Sequence, residues 1–280
     1  MMRSLWSAAS GMIAQQTNLD NIANNLSNVN TAGYKKDTVE FKSLLYQTLQ
    51  SPSTNNAGEN KPVPAQVGLG TRVASITTVF KQGNLQDVDV NTYMAIEGNG
   101  FFKVRNRDGE ICYTRDGSFN VQPVEGGVIL CTSDGCPVLD QNNNTIIIPN
   151  GYKTDGLIVD QDGNLFVEGA DEQQVALTQT ANGQAYNQKI GLVQFNNPAG
   201  LDSVGSNMYQ ATAASGAARE ESTTPGLATS KVHQKYVEMS NVQVADEMVN
   251  MIVAQRAYEM NSKAIQASDE MLEQANNLRR

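Results

Sequence analysis

Val244-Ala245-Asp246-Glu247-Met248-Val249-Asn250-Met251-Ile252-Val253-Ala254-Gln255-Arg256-Ala257-Tyr258 opens the last part of the chain, and its reading decides the fold. From Val244 a strongly apolar residue returns at every seventh position: Val244, Met251, Tyr258, Ile265 and Leu272. A seven-residue period keeps one side of a helix turned towards a partner along its length. The same period governs the other end of the chain, at Leu5, Met12, Leu19 and Leu26, with Ile22 and Val29 three residues after the last two. The spacing predicts two terminal helices that pack on each other, on copies of themselves, or both. The stripe residues are then the expected assembly interface.

The remaining faces of these helices are not those of a solvated helix. Up to Asn30 the only charges are Arg3 and Asp20, and asparagine recurs at 18, 21, 24, 25, 28 and 30. Asparagine is a mediocre helix former, and Gly11 adds about 1 kcal/mol of cost in a helix interior. An isolated helix of this composition is marginal in water. Amides and small residues suit burial against many neighbouring helices, so the expectation is a pair of ends that gain order on assembly.

With 280 residues and a net charge of −9, the chain is long enough for one large or two modest domains, and its charge disfavours nucleic acid and anionic membranes. No apolar run approaches the roughly 18 residues that span a bilayer, which excludes direct membrane insertion by a helix. Arg3 followed by Leu5–Ala14 faintly resembles a signal peptide, but its core is interrupted by Ser7, Ser10 and Gly11 and falls on the heptad stripe, so it reads as mature helix.

The middle of the chain changes period. Residues 39–49 fit either a helix or a strand, and the polar, proline-containing Ser51–Gln66 carries no periodicity. From Val67 the pattern turns to β. Five Asp-Gly pairs, at 108–109, 116–117, 134–135, 155–156 and 162–163, mark hairpin turns between short strands. Ser203–Thr229, small and polar, reads as the return path to the terminal helix. The expected class is therefore α+β, with N- and C-terminal helices paired as a coiled-coil-like layer and a central antiparallel β-rich domain of many short strands. The expected division is 1–30 with 240–280 as the helical core, 31–70 with 225–239 as an extended connection, and 71–224 as the β-rich outer domain.

Motifs that carry chemistry are weak here. Gly98-Asn99-Gly100 lacks the third glycine and following helix of a dinucleotide site, and reads as a turn into a strand. Asp160-Gln161-Asp162-Gly163-Asn164 begins like a calcium loop but has Leu165 where glycine belongs, so it reads as a hairpin turn. Asp87 and Asp89 share a strand side without a surrounding cleft. A single histidine, His233, leaves no catalytic triad, and no catalytic, cofactor-binding or metal residues are expected. Of three cysteines, Cys131 and Cys136 flank a hairpin loop at a spacing open to a disulfide or to two buried thiols.

Ala23-Asn24-Asn25-Leu26-Ser27-Asn28-Val29-Asn30-Thr31-Ala32-Gly33-Tyr34-Lys35 resembles the N-terminal signature of bacterial flagellar rod and hook proteins. Tyr236–Val242, Val249–Ile252 and Gln255–Glu259 resemble the C-terminal one, and Gly98–Val104 and Tyr113–Phe119 are similar to segments between them. Within that family the length resembles a rod rather than a hook member, with a sister rod protein of similar length or a hook-type subunit as the alternatives. The resemblance implies a structural, non-enzymatic subunit of a self-assembling helical polymer in the flagellar basal body. The polymer would transmit torque, with proximal rod, hook and ring proteins as partners. It also implies export by the flagellar secretion apparatus without a cleaved signal peptide. A different class also fits the pattern, an extracellular β-rich binding module on a helical stalk.

Overall fold

The computed structural model describes residues 2–50, 65–149, 152, 156–168, 174–181, 184–224 and 226–277. Most of the aperiodic stretch, residues 51–64, and Asp155 of the fourth Asp-Gly pair lie outside the described residues. Two helices bracket the chain: α1, Met2–Ser27, and α2, Val244–Asn277. Between them lies a succession of short antiparallel strands. The chain divides into a helical unit, drawn from Met1–Ser27, Asp37–Thr78 and Gln243–Arg280, and a β-rich unit, drawn from Asn28–Lys36 and Val79–Val242.

In the helical unit α1 and α2 run antiparallel. Ser4 Oγ lies 3.5 Å from Ser268 Oγ, and seven residues on, a Cβ built on Gly11 would sit 2.9 Å from Asn261 Nδ2. One step of seven forward on α1 is thus one step of seven back on α2. The buried positions of α2, Glu247, Ala254 and Ser268, share that spacing, three residues after the stripe chosen from hydropathy. Small and polar residues therefore form the seam between these two helices, and the helices approach closely at Gly11.

The ambiguous stretch after Lys36 is β. Strand Asp37–Ser43 pairs with Thr71–Thr78, with an irregularity between Glu40 and Phe41, and Tyr46–Gln50 pairs with Ala65–Gly68. The asparagines of α1 serve this ribbon. Asn21 and Asn25 each donate from Nδ2 to Asp37 O at 2.9 Å, and Asn25 Oδ1 accepts the Asp37 amide at 3.0 Å. Two buried amides thus satisfy the strand's first backbone groups, which accounts for Asn21 and Asn25 among the asparagines of α1.

The β-rich unit is organised on a six-stranded sheet. Its order is Asp202–Gly205, Met208–Gln210, Ile111–Thr114, Phe101–Arg105, Leu192–Gln194 and Arg219–Glu220. The central strand alternates: Phe102 and Val104 enter one core cluster and Phe101 the other, as a period of two requires. Phe101 packs edge-on against Phe80 and Phe195. Gly109, Gly135 and Gly163 all take positive φ, near 80°, so three of the Asp-Gly pairs are hairpin turns. The pair at Asp116-Gly117 turns differently. Asp116 Oδ1 accepts from the Ser118 amide and hydroxyl, and a side chain at Gly117 would run into the Met94 carbonyl. The return path is partly strand, because Asp202–Gly205 and Met208–Gln210 form one edge of the main sheet.

Candidate assembly surfaces

The stripe residues of the two helices fall into distinct environments. On α1, Ile22 is buried and Leu5, Met12, Leu19 and Leu26 are half-buried; Val29 lies past the helix end. On α2, Met251 and Ile265 are half-buried, whereas Val244, Tyr258 and Leu272 are exposed. One exposed apolar surface is not picked out by the heptad count. Met248, Val249, Ile252, Val253 and Met260 all lie open on α2, with Val253 at 62% exposure beside Ala254 at 1%. On α1, Trp6 and Ile13, seven residues apart, are exposed as well. The run Met248–Ala254, apolar except at Asn250, was the signal for this surface, since a helix apolar on most of its faces expects more than one neighbour. The second hairpin adds Leu45, Tyr46, Leu49 and Val67, all exposed.

The β-rich unit holds a different kind of feature. Lys35 Nζ bonds Glu238 Oε1 at 2.5 Å and donates to Lys81 O at 2.9 Å, with both charged groups fully buried. Arg115 approaches Glu238 Oε2 at 3.4 Å, donates to Gly98 O at 2.7 Å and lies over the Phe101 ring, 5.0 Å from its centre. The Gly83 amide completes the set by donating to Glu238 Oε1 at 2.9 Å. Burial pushes the Lys35 ammonium below its ordinary range, with Glu238 opposing the shift. Beside them the Gly33 amide donates to Glu238 O at 2.7 Å, and Gly33 takes φ +68° where a Cβ would meet the Asp116 amide at 2.5 Å. The cluster is closed off from solvent and packed on every side, so its role is to hold segments together rather than to meet a substrate.

The remaining candidates are structural. Cys112, Cys131 and Cys136 are buried free thiols. Cys131 is paired with Pro137, and Thr132 donates its amide to Cys136 O at 2.9 Å, so the two cysteines occupy adjacent levels of the hairpin and opposite faces. Burial raises the thiol pKa of Cys112 and Cys131, which makes them poor nucleophiles. The Asp160–Asn164 loop is closed by the Asp160 amide on Asn164 O at 3.0 Å. Asp89 is exposed and pairs with Lys235 at 3.1 Å. His233 sits on strand Lys231–Gln234, 2.7 Å from Glu97. Among the described residues no group of His, Cys, Asp and Glu is placed to hold a metal ion, and no helix is long and apolar enough to cross a membrane.

Comparison with known proteins gives three matching family models. Residues 5–35 match flagella basal body rod protein, 95–167 the flagellar hook protein FlgE/F/G D1 domain, and 233–278 the flagellar basal body rod FlgEFG protein C-terminal region. The FlgG basal-body rod protein of Borreliella burgdorferi is 45% identical, with 100% of each chain covered. The chain belongs to the family of flagellar basal-body rod proteins. Within that family it is FlgG-like along its whole length. The FlgG proteins of Buchnera aphidicola from Acyrthosiphon pisum and of Bacillus subtilis are 42% and 37% identical, each covering 99% or more of this chain and 100% of the relative. The rod-family matches also give the buried cluster a meaning. Lys35 lies in the first matched segment, Arg115 in the second and Glu238 in the third, so one carboxylate joins all three.

Proposed function

We propose that this chain is a structural subunit of the flagellar distal rod, which assembles with copies of itself into a hollow helical shaft and passes motor torque towards the hook. The observation that carries this reading is the apolar surface on α2, from Met248 to Met260. The buried residues Glu247, Ala254 and Ser268 already supply the helix's intramolecular seam, so Met248, Val249, Ile252 and Val253 are left for a second partner. Burying each of these contributes roughly 1.5–3 kcal/mol, and a helical array buries them on every copy. In this reading the pairing of α1 and α2 is coiled-coil-like. The stripe residues Leu5, Met12, Leu19, Leu26, Val244, Tyr258 and Leu272 lie beside the seam as further contacts between subunits.

A shaft resists twist only if each subunit meets neighbours in several directions, so that no single plane can slide. Exposed apolar side chains on α1, on α2 and on the hairpin at 46–50 and 65–68 support contacts of that kind. The role is mechanical, with no catalytic step. Proximal rod, hook and ring proteins are the partners, and the flagellar secretion apparatus is the export route. The test is polymerisation of purified full-length subunit, viewed by electron microscopy. Straight hollow rods are expected at high concentration. A chain that stays monomeric at millimolar concentration and instead captures a ligand through its β-rich unit would favour the stalked binding module.

A further inference from the structure

The backbone passes between the β-rich and helical units four times: from Ser27 to Asn28, from Lys36 to Asp37, from Thr78 to Val79, and from Val242 to Gln243. Inside the β-rich unit, the residues that lead to the last three of these passages are held by one side chain. Asn241 Oδ1 accepts the Lys36 amide at 2.8 Å. Asn241 Nδ2 donates to Val79 O at 2.8 Å and to Lys81 O at 3.1 Å. The Val79 amide donates in turn to Lys36 O at 2.9 Å, and Asn241 itself stands next to Val242. The Lys81 carbonyl takes a second bond from Lys35 Nζ, which joins this group to the buried Lys35–Glu238 pair.

The residue type matters. A primary amide presents an acceptor and two donors from one short stem. Aspartate would keep the bond from Lys36 and lose both donors; leucine would keep the bulk and lose everything. Capping of α2 does not account for the arrangement, because Asn241 accepts from Lys36 and donates to residues 79 and 81 rather than meeting the first-turn amides of the helix.

We propose that Asn241 is a fastener that makes the last three passages move as one, so that load entering through α2 is shared by three strands in parallel. The load in this proposal rests on the rod-subunit reading; the fastening does not. A lone strand under twist can slip past its neighbours, whereas strands tied at one point must open together. Neutral hydrogen bonds of this kind shift a local equilibrium by roughly fivefold each, so removing three raises local opening by roughly a hundredfold.

Amide hydrogen exchange on the full-length monomer tests the fastening. In Asn241→Ala, the Lys36 and Val79 amides should both lose protection, by about a hundredfold, while the amides of strand Phe101–Arg105 keep theirs. The Val79 result is decisive, since that amide is bonded to Lys36 and not to Asn241. Asn241→Asp guards against a general loss of fold: Lys36 should stay protected while residues 79–81 loosen. A change confined to Lys36 overturns the fastener, and so does an equal loss across the whole β-rich unit in both variants. For the load, cells carrying Asn241→Ala should swim at normal speed in dilute buffer and lose speed, relative to wild type, as viscosity is raised. Lost protection with an unchanged viscosity response overturns the load-sharing role. Absence of the wild-type chain from purified basal bodies, read separately by blotting, would overturn the rod reading and the load-sharing with it.

Discussion

A carboxylate moved out of water loses several kcal/mol of hydration, and Glu238 regains it from two cations and the Gly83 amide. Removing that charge leaves Lys35 and Arg115 buried without their shared ion-pair partner. Glu238→Gln is therefore expected to destabilise the β-rich unit by about 3–5 kcal/mol, the range for a broken buried pair. Urea unfolding followed by tyrosine fluorescence measures it, and a loss under about 1 kcal/mol would mean that water reaches the cations. Lys35→Met with Glu238→Gln should lose less than the sum of the single changes, because the two residues share one interaction. Gly117 is a steric case rather than a torsional one, because its φ is not positive. The Met94 carbonyl occupies the place of its side chain, so Gly117→Ala should cost about 1–3 kcal/mol, as overpacked sites do. Thermal unfolding of the purified variant checks this; an unchanged midpoint would show that the turn at Asp116 can shift.

The helices are where reading the sequence found the elements and left their intramolecular seam open. A seven-residue period at both ends was legible, as was the loss of helical pattern between them, because period depends only on neighbours along the chain. Which face of the period closes the intramolecular seam was not legible. Hydropathy marked Val244 and Tyr258, while the intramolecular seam uses Glu247, Ala254 and Ser268, of which only Ala254 is apolar. The Asp-Gly turns were legible for the same local reason, whereas strands 37–43 and 46–50 were ambiguous until paired. The Lys35–Glu238 pair spans 203 residues, and no local pattern records it. A sharp contrast follows on α2. Val253→Asp places a charge on the exposed face and should abolish rod formation with the monomer's circular dichroism unchanged. Ala254→Asp, one residue on, should instead disrupt the helix pair in the monomer. Sedimentation and circular dichroism on both variants decide the matter, and identical behaviour would remove the distinction between seam and surface.

For the whole molecule the two units differ in how they are stabilised. The β-rich unit has two buried clusters and an enclosed ion cluster, so most of its stability is available to a single chain. The helical unit leaves apolar side chains open along α2, on α1 and on its hairpin; on the proposed reading its full stability comes from further copies of the chain. Unfolding of the monomer is thus expected in two steps, the helical unit at low urea and the β-rich unit later, in place of one cooperative transition. Assembly binds the folded form of the helical unit and not the unfolded form, so it should raise the first step and leave the second nearly where it was. Hydrogen exchange by mass spectrometry on monomer and assembled rod makes the comparison directly. Amides of α1 and α2 should gain protection in the rod by the largest factors in the chain, while those of Phe101–Arg105 change little. Terminal helices that exchange as slowly in the monomer as in the rod would mean that the apolar surface adds nothing on assembly, and the coupling between folding and polymerisation would have to be abandoned.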